Sequence, residues 1–384
     1  MQVIMTKDEF PTTITKSIFL AGPTPRGEVD DKYFWRKQVI KYLEEKNFDG
    51  IVFSPDFCGA SYNEQVDWED KCLNIADVIL FWIPRDLEIL PGFTTNVEYG
   101  EWMKSGKVVL GCPEDAVKVR YLQSKARKYN VPICKTLEET IDKCTKYLSD
   151  GAIRNNGEIY IPLHLWKHVA FQQWYTNLKN AGNRLDGAKI EWAFKPQLDR
   201  KPFFFIIHAN VYITSENRNK INEIVIYRSD ISTILAYQKA ENLFNYKIVL
   251  TKEFRSPVSN EAGFVYELPG GSSFKPGKSS LELASDEFAE ETSMKIDNYS
   301  RFIFHQSRQL CATLSSHKAN LFSIELTEDE MQHLTSLKGQ TFGVEEDSEK
   351  TYVEIRTLRE ILENELLDWS MMGMIQTILV QVDQ

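Results

Sequence analysis

The chain lacks a long uninterrupted apolar run, a paired cysteine spacing and any surplus of positive charge. No apolar stretch approaches the roughly 20 residues that cross a bilayer. The opening MQVIMTKDEFPTTITKS does not run from charged to apolar as a secretory signal does, so a cytoplasmic protein with no membrane contact is expected. The six cysteines (Cys58, Cys72, Cys112, Cys134, Cys144, Cys311) fall singly, without C-x-x-C. That argues against a zinc module or a disulfide framework and for free thiols. With 45 Lys and Arg against 55 Asp and Glu, a formal net charge of -10, the chain has no basic footprint for a nucleic-acid backbone.

What is present suits globular domains. A length of 384 residues, 42% hydrophobic and 12% aromatic, favours two domains over one. From Lys16, apolar runs alternate with amphipathic stretches: SIFLAG, 31–46, IVFSP, 62–75, DVILFWIP, 94–105, KVVLGCP and 115–128. This alternation predicts an α/β, doubly wound parallel sheet whose ligand site lies at the carboxyl ends of its strands. The loops AGPTPRG, SPDFCGASY, PRDLEILPGFTTN and GCPEDA would then form that site. After a helix ending near Leu148, the polar SDGAIRNNGE and a helix over 162–180 read as a docked linker. From Lys201 the runs FFFIIHANVYI, NEIVIYR, YKIVLTKEFR and GFVYELP predict strands, followed by one acidic helix, the strand-like QLCATLSSHKANLFSIEL and two closing helices at 358–367 and 369–382. The second half is therefore expected to be α+β. The boundaries are 1–150, a 151–184 linker, and 185–384.

The acidic helix contains DEFAEE, with Asp286, Glu287, Glu290 and Glu291 within six positions. Residues three and four apart share a helix face, so Glu287, Glu290 and Glu291 could offer carboxylates to a hard divalent cation, Mg2+ or Mn2+. Metal-assisted attack of water on a diphosphate, with Glu290 and Glu291 as catalytic groups, is one outcome of that reading. A solvated acidic face is the other.

The stretch ELPGGSSFKPGKSSLELASDEFAEETSM resembles the Nudix hydrolase box, with Glu287, Phe288, Glu290, Glu291 and Met294 in register. The preceding TKEFRSPVSNEAGFVYELPGG resembles the branch of that family acting on ADP-ribose and ADP-sugars, which implies a substrate contact for Arg255. The chain departs from the box at Asp286 (Arg in the family), Ser293 (Gly), Lys278 (Glu) and in the one-residue displacement of its first glycine to Gly271. The family arginine orients the catalytic glutamates, so Asp286 bears on activity while leaving a Nudix fold as the expectation. Glu345 and Glu346, in TFGVEEDSEK, are candidates for the catalytic base that several members place after the box.

In the first half, FTTNVEYG places Glu98 in the first turns of a helix, where the helix amino terminus favours the ionised form. An ionised, positioned carboxylate can attack an anomeric carbon, and Glu69 in QVDWED is a candidate acidic partner. A capping or solvated glutamate is the plainer reading. IFLAGPTPR, FWRKQVIKYLEE, QVDWED, ADVILFWIPR and TTNVEYG together resemble the nucleoside 2-deoxyribosyltransferase family over roughly residues 16–148. The resemblance implies Glu98 as nucleophile, Glu69 as assisting acid, and Gly22 and Pro23 beside the sugar or phosphate, with Arg26 as charge partner. Asp77 is read as structural. The family's base-handling acid falls on Gly92, so Thr94, Thr95 and Asn96 could contact a phosphate instead.

The two resemblances together imply a bifunctional nucleotide-degrading enzyme, one half cleaving an N-glycosidic bond and the other a diphosphate. Alternatives are NAD cleavage coupled to ADP-ribose hydrolysis, and a glycosidase governed by a nucleotide-sensing second half. The expected partner is a small-molecule nucleotide, with no nucleic acid, and the chain is expected to form a homo-oligomer.

Overall fold

The computed structural model describes residues 1–56, 59–194, 202, 204–272, 277–343 and 350–382, and divides into two compact units, Met1–Arg228 and Ser229–Gln384. Cys58, Glu345 and Glu346 lie outside the described residues.

The first unit is built on a six-stranded parallel sheet: β1 (Gln2–Ile4), β2 (Ser17–Ala21), β3 (Ile51–Phe53), β4 (Val78–Trp82), β5 (Val108–Gly111) and β6 (Ile133–Cys134), in the order β1-β3-β2-β4-β5-β6. Strands β2 and β4 are buried along their whole length, which is why they read as unbroken apolar runs. Alternate side chains serve opposite faces. Ile18, Leu20 and Leu80 pack with Trp35, Val39 and Leu43 of α1 (Trp35–Glu45) and with Ile141 of α5 (Leu137–Leu148). Phe19, Phe53 and Phe81 meet Trp68 of α2 (Tyr62–Ile75), Tyr99 of α3 (Phe93–Trp102) and Ala126 of α4 (Arg120–Lys128). Ser61 and Glu64 form a capping box that starts α2. The strand order reverses between β2 and β4, creating the crevice in which sheets of this kind hold ligands.

Strand β1 escaped the sequence reading because three residues carry too little period to stand out. The segment read as a linker is anchored by charge. Arg154 and Asp77 are both fully buried and joined by hydrogen bonds of 2.6 and 2.7 Å. Asp77 also accepts from the Ser17 amide and hydroxyl and from the Leu163 amide. Its structural role at the amino end of β4 fits that set of partners. The expected 162–180 helix is two: Leu163–Trp166 and α6 (Val169–Asn180), separated where His168 caps the second through the Ala170 amide.

Strands β7 (Arg184–Phe194), β8 (Phe204–Ile213) and β9 (Arg218–Arg228) form an antiparallel sheet in the order β9-β8-β7. Together with α6 they enclose a core of their own, with Phe205 and Tyr227 stacked at 4.6 Å and Phe171 beside them. These strands, expected in the second domain, fall in the first compact unit, which ends at Arg228. A strand-like sequence does not specify its sheet; the partner strands and the helix laid on them do.

The second unit is α+β, without a fold identity beyond that. Its sheet contains β10 (Ile231–Gln238), β11 (Lys247–Phe254), β14 (Ile303–Gln309), β15 (Lys318–Glu325), β16 (Thr341–Phe342) and β17 (Thr351–Thr357), ordered β14-β15-β10-β11-β17-β16. Short strands β12 (Phe264–Glu267) and β13 (Gly270–Gly271) pair with β11 and β10. Only β10 and β15 run parallel among these described pairs. The acidic helix α7 (Ser280–Thr292) lays Ala284 and Phe288 on one face of the sheet, while Ile375 and Ile378 of α10 (Trp369–Val382) cover the other. Between them lie α8 (Glu328–Ser336) and α9 (Leu358–Glu363). No helix among the described residues is long and apolar enough to cross a membrane.

Candidate functional site

The crevice between the carboxyl ends of β2 and β4 is a cavity of about 250 Å3. Its floor and one wall are the loop after β2, with Gly22, Pro23 and Arg26; Pro55 follows β3; Gly92, Thr94 and Glu98 come from the start of α3; Glu69 enters from α2. Gly22 is required by close approach: a Cβ there would lie 2.2 Å from the Trp82 carbonyl oxygen and 2.7 Å from the Trp35 ring, at φ +151°. Gly92 adopts the left-handed conformation as the residue before α3, turning the chain so that the helix starts over the cavity.

Beneath the two carboxylates lies Arg36, which the sequence reading missed. It is 4% exposed and donates to the Leu20 and Gly22 carbonyls at 3.1 and 2.6 Å and to the Thr24 hydroxyl at 3.0 Å. Asp56 lies 3.5 Å away. Burial lowers the pKa of its guanidinium, while the opposing fields of Asp56, Glu98 and Glu69 raise it. The clue was available: Arg36 lies on the α1 stripe of Trp35, Val39 and Leu43, and a charge on an apolar stripe needs partners.

Burial pushes the Glu98 carboxyl up to about 7, and the neighbouring Glu69 adds to the rise against the pull of Arg36. Glu69 is also raised, again chiefly by burial, with the Gln65 amide at 2.8 Å and Arg36 drawing it back. This corrects the expectation that a helix amino terminus would hold Glu98 ionised. Glu98 is the sixth residue of α3, beyond the first turn where that effect acts, so desolvation and the second carboxylate win. The arrangement brings together two carboxyls, both able to hold a proton, and a buried cation near both.

Of the proposed phosphate contacts, Thr94 lines the cavity and Arg26 lies at its exposed rim, 5.9 Å over the Phe93 ring. Thr95 is buried at 1% exposure, and the Asn96 side-chain Oδ1 accepts from Arg85 at 2.5 Å, both outside the cavity lining. Helical periodicity turns Asn96 away from the face that carries Thr94 and Glu98.

Residues 15–116 match the family described as nucleoside 2-deoxyribosyltransferase like. The first unit contains a nucleoside 2-deoxyribosyltransferase-like domain. The matched stretch includes every cavity residue named above. The chain matches no curated protein.

No family match extends to the second unit to support the Nudix resemblance. Glu291 is buried and accepts from the Gly270 amide at 3.0 Å, Glu287 approaches Gly271, and Glu290 is exposed. Among the described residues, no group of three or more His, Cys, Asp or Glu side chains is placed to hold a metal ion. Arg255 pairs with Glu253 at 2.7 Å and with Glu267 at 3.5 Å. Two of the departures from the Nudix pattern are coupled. Lys278 and Asp286 form an ion pair, so the opposite signs that the pattern places at these positions are both retained, exchanged.

Proposed function

We propose that the first unit cleaves the N-glycosidic bond of a nucleotide through a covalent glycosyl intermediate on Glu98. The observation that carries this reading is the meeting of Glu98, Glu69 and Arg36 in one crevice at the strand carboxyl ends. The ionised Glu98 attacks the anomeric carbon; an ester bond forms there as the bond to the base nitrogen breaks and its electron pair leaves with the base. Glu69 supplies a proton to the departing base or positions the nucleophile. Water or a second base then attacks the same carbon and releases Glu98. Arg36 acts as a positioning residue: it fixes the Gly22 loop through two carbonyls and biases the neighbouring carboxylates toward ionisation. Arg26 and Thr94 are the groups left to receive a phosphate, which favours a nucleotide over a free nucleoside.

The test is incubation of the full chain with nucleoside 5′-monophosphates and the corresponding nucleosides, with chromatography for free base. Release from the monophosphates that disappears in Glu98→Gln supports the reading; release unaffected by that substitution overturns it. No reaction is assigned to the second unit, because the family match ends at residue 116.

A further inference from the structure

The first unit has a second, larger cavity of about 500 Å3 at the opposite end of the sheet, beside Val78 and Val108 where β4 and β5 begin. Its size lies within the range of small-molecule pockets, and nothing in the glycosidic reading uses it. Its chemistry is one-sided. The cations at its wall are Lys104, Lys107 and Lys128, and its one acidic lining residue, Asp77, is already bound to Arg154. Lys107 is committed too. Its ammonium is buried, donates to the Leu73 and Asn74 carbonyls at 2.6 and 2.9 Å, and is lowered to about 7 by desolvation.

Lys104 and Lys128 are different. Both are exposed, both place their ammonium groups over the Tyr129 ring, at 5.2 and 5.8 Å, and among the described residues neither is paired with a carboxylate. Two like charges gathered about one aromatic ring in a chain of net charge -10 form a local site for an anion. The adjoining wall is Trp192 and Phe194 of β7, stacked at 6.0 Å with an interplanar angle of 18° and still 49% and 44% exposed. Stacked rings left open beside unpaired ammonium groups match a molecule with a flat apolar part and an anionic end.

We propose that this cavity binds a planar aromatic anion of nucleotide size, its ring against Trp192 and Phe194 and its anionic group between Lys104 and Lys128. The site is separate from the crevice that holds Glu98 and does not depend on the reaction assigned there.

The experiment is calorimetric titration of the full chain carrying Glu98→Gln, which blocks turnover, with 5′-AMP as probe and adenosine and inorganic phosphate as controls. The expected result is a binding event that persists when Arg26→Gln is added. It should weaken about tenfold or more in Lys104→Gln/Lys128→Gln and in Trp192→Ala, since a tenfold change corresponds to one modest polar or stacking interaction. Lys104→Arg/Lys128→Arg should retain it, and adenosine and phosphate should each bind more weakly than AMP. The lysines are exposed, so thermal midpoints should not change with the double substitution. The proposal is overturned if no Arg26-independent binding is seen up to about 1 mM AMP, or if that binding is indifferent to both the lysine and the tryptophan substitutions.

Discussion

The two acidic sites of the molecule differ in a way opposite to their density in sequence. Glu69 and Glu98 are 29 positions apart and face one crevice, each raised by burial and drawn back by Arg36, with Glu69 adding to the rise of Glu98. Glu287, Glu290 and Glu291 are crowded on one helix, yet one is buried on an amide, one lies by Gly271 and one faces solvent. Residues four apart share a helix face, so Glu287 and Glu291 both come against the Gly270–Gly271 strand, while Glu290 stays in solvent. A parallel sheet collects its strand ends at one edge, so distant residues converge there. Charge that has been desolvated and opposed by a partner is the better sign of chemistry.

The comparison can be tested from its strongest contrast to its weakest. Glu98→Gln should lower base release by about a thousandfold or more, and Glu69→Gln by about ten- to a hundredfold, the ranges for a lost nucleophile and a lost proton-transfer group. Single-turnover release rates decide this, and equal losses would mean that the two roles are assigned wrongly. In the same unit, Arg154→Ala should cost about 3–5 kcal/mol in denaturant unfolding by leaving Asp77 buried without its cation.

The raised Glu98 pKa also has a stability signature. Between the ordinary value of 4.5 and about 7 the folded chain holds this proton while the unfolded chain releases it, so stability falls as pH rises through that window. Glu98→Gln removes the loss. It should be more stable than the parent at pH 8, on the order of 1–3 kcal/mol, with no such advantage at pH 4. Base release in the parent should rise with pH toward a plateau above about 7. A variant that is inactive and equally stable at both pH values would contradict a desolvated Glu98.

The second unit should respond weakly. Asp286→Arg alone places two cations together and should lower the melting temperature slightly, and Lys278→Glu added to it should restore it, since the pair is partly exposed. Calorimetric melting of the parent and the two variants measures the effect; identical melting temperatures would show that the contact contributes nothing. Ser293, left-handed at φ +57° after α7, stands where the Nudix pattern has glycine. Ser293→Gly should stabilise by about 0.5–1 kcal/mol.

The alternating strands and helices of 16–148 were legible because β2 and β4 are buried on both faces and their helices carry a clear apolar stripe. The crevice loops followed from topology. Strand β10, ISTILAYQ, was missed beside longer aromatic runs, and β7 was missed because most of its residues are exposed or half-buried and give no clean alternation. Glu98 and Glu69 were legible as members of a pattern. Arg36 was not, because an arginine in a helix normally extends into solvent.

By itself the sequence determined the period of its elements, the parallel order of the first sheet and hence the edge at which a site could form. Those follow from local apolar spacing and from the few ways that strands and helices connect. Only the tertiary structure decided that β7–β9 belong to the first unit, that Asp77 holds Arg154, that Lys278 faces Asp286, and that Asn96 bonds to Arg85 away from the crevice. It also decided the ionisation of Glu98. A carboxyl's pKa is set by the water removed around it and by charges brought from distant parts of the chain, and neither quantity is written in the residues beside it.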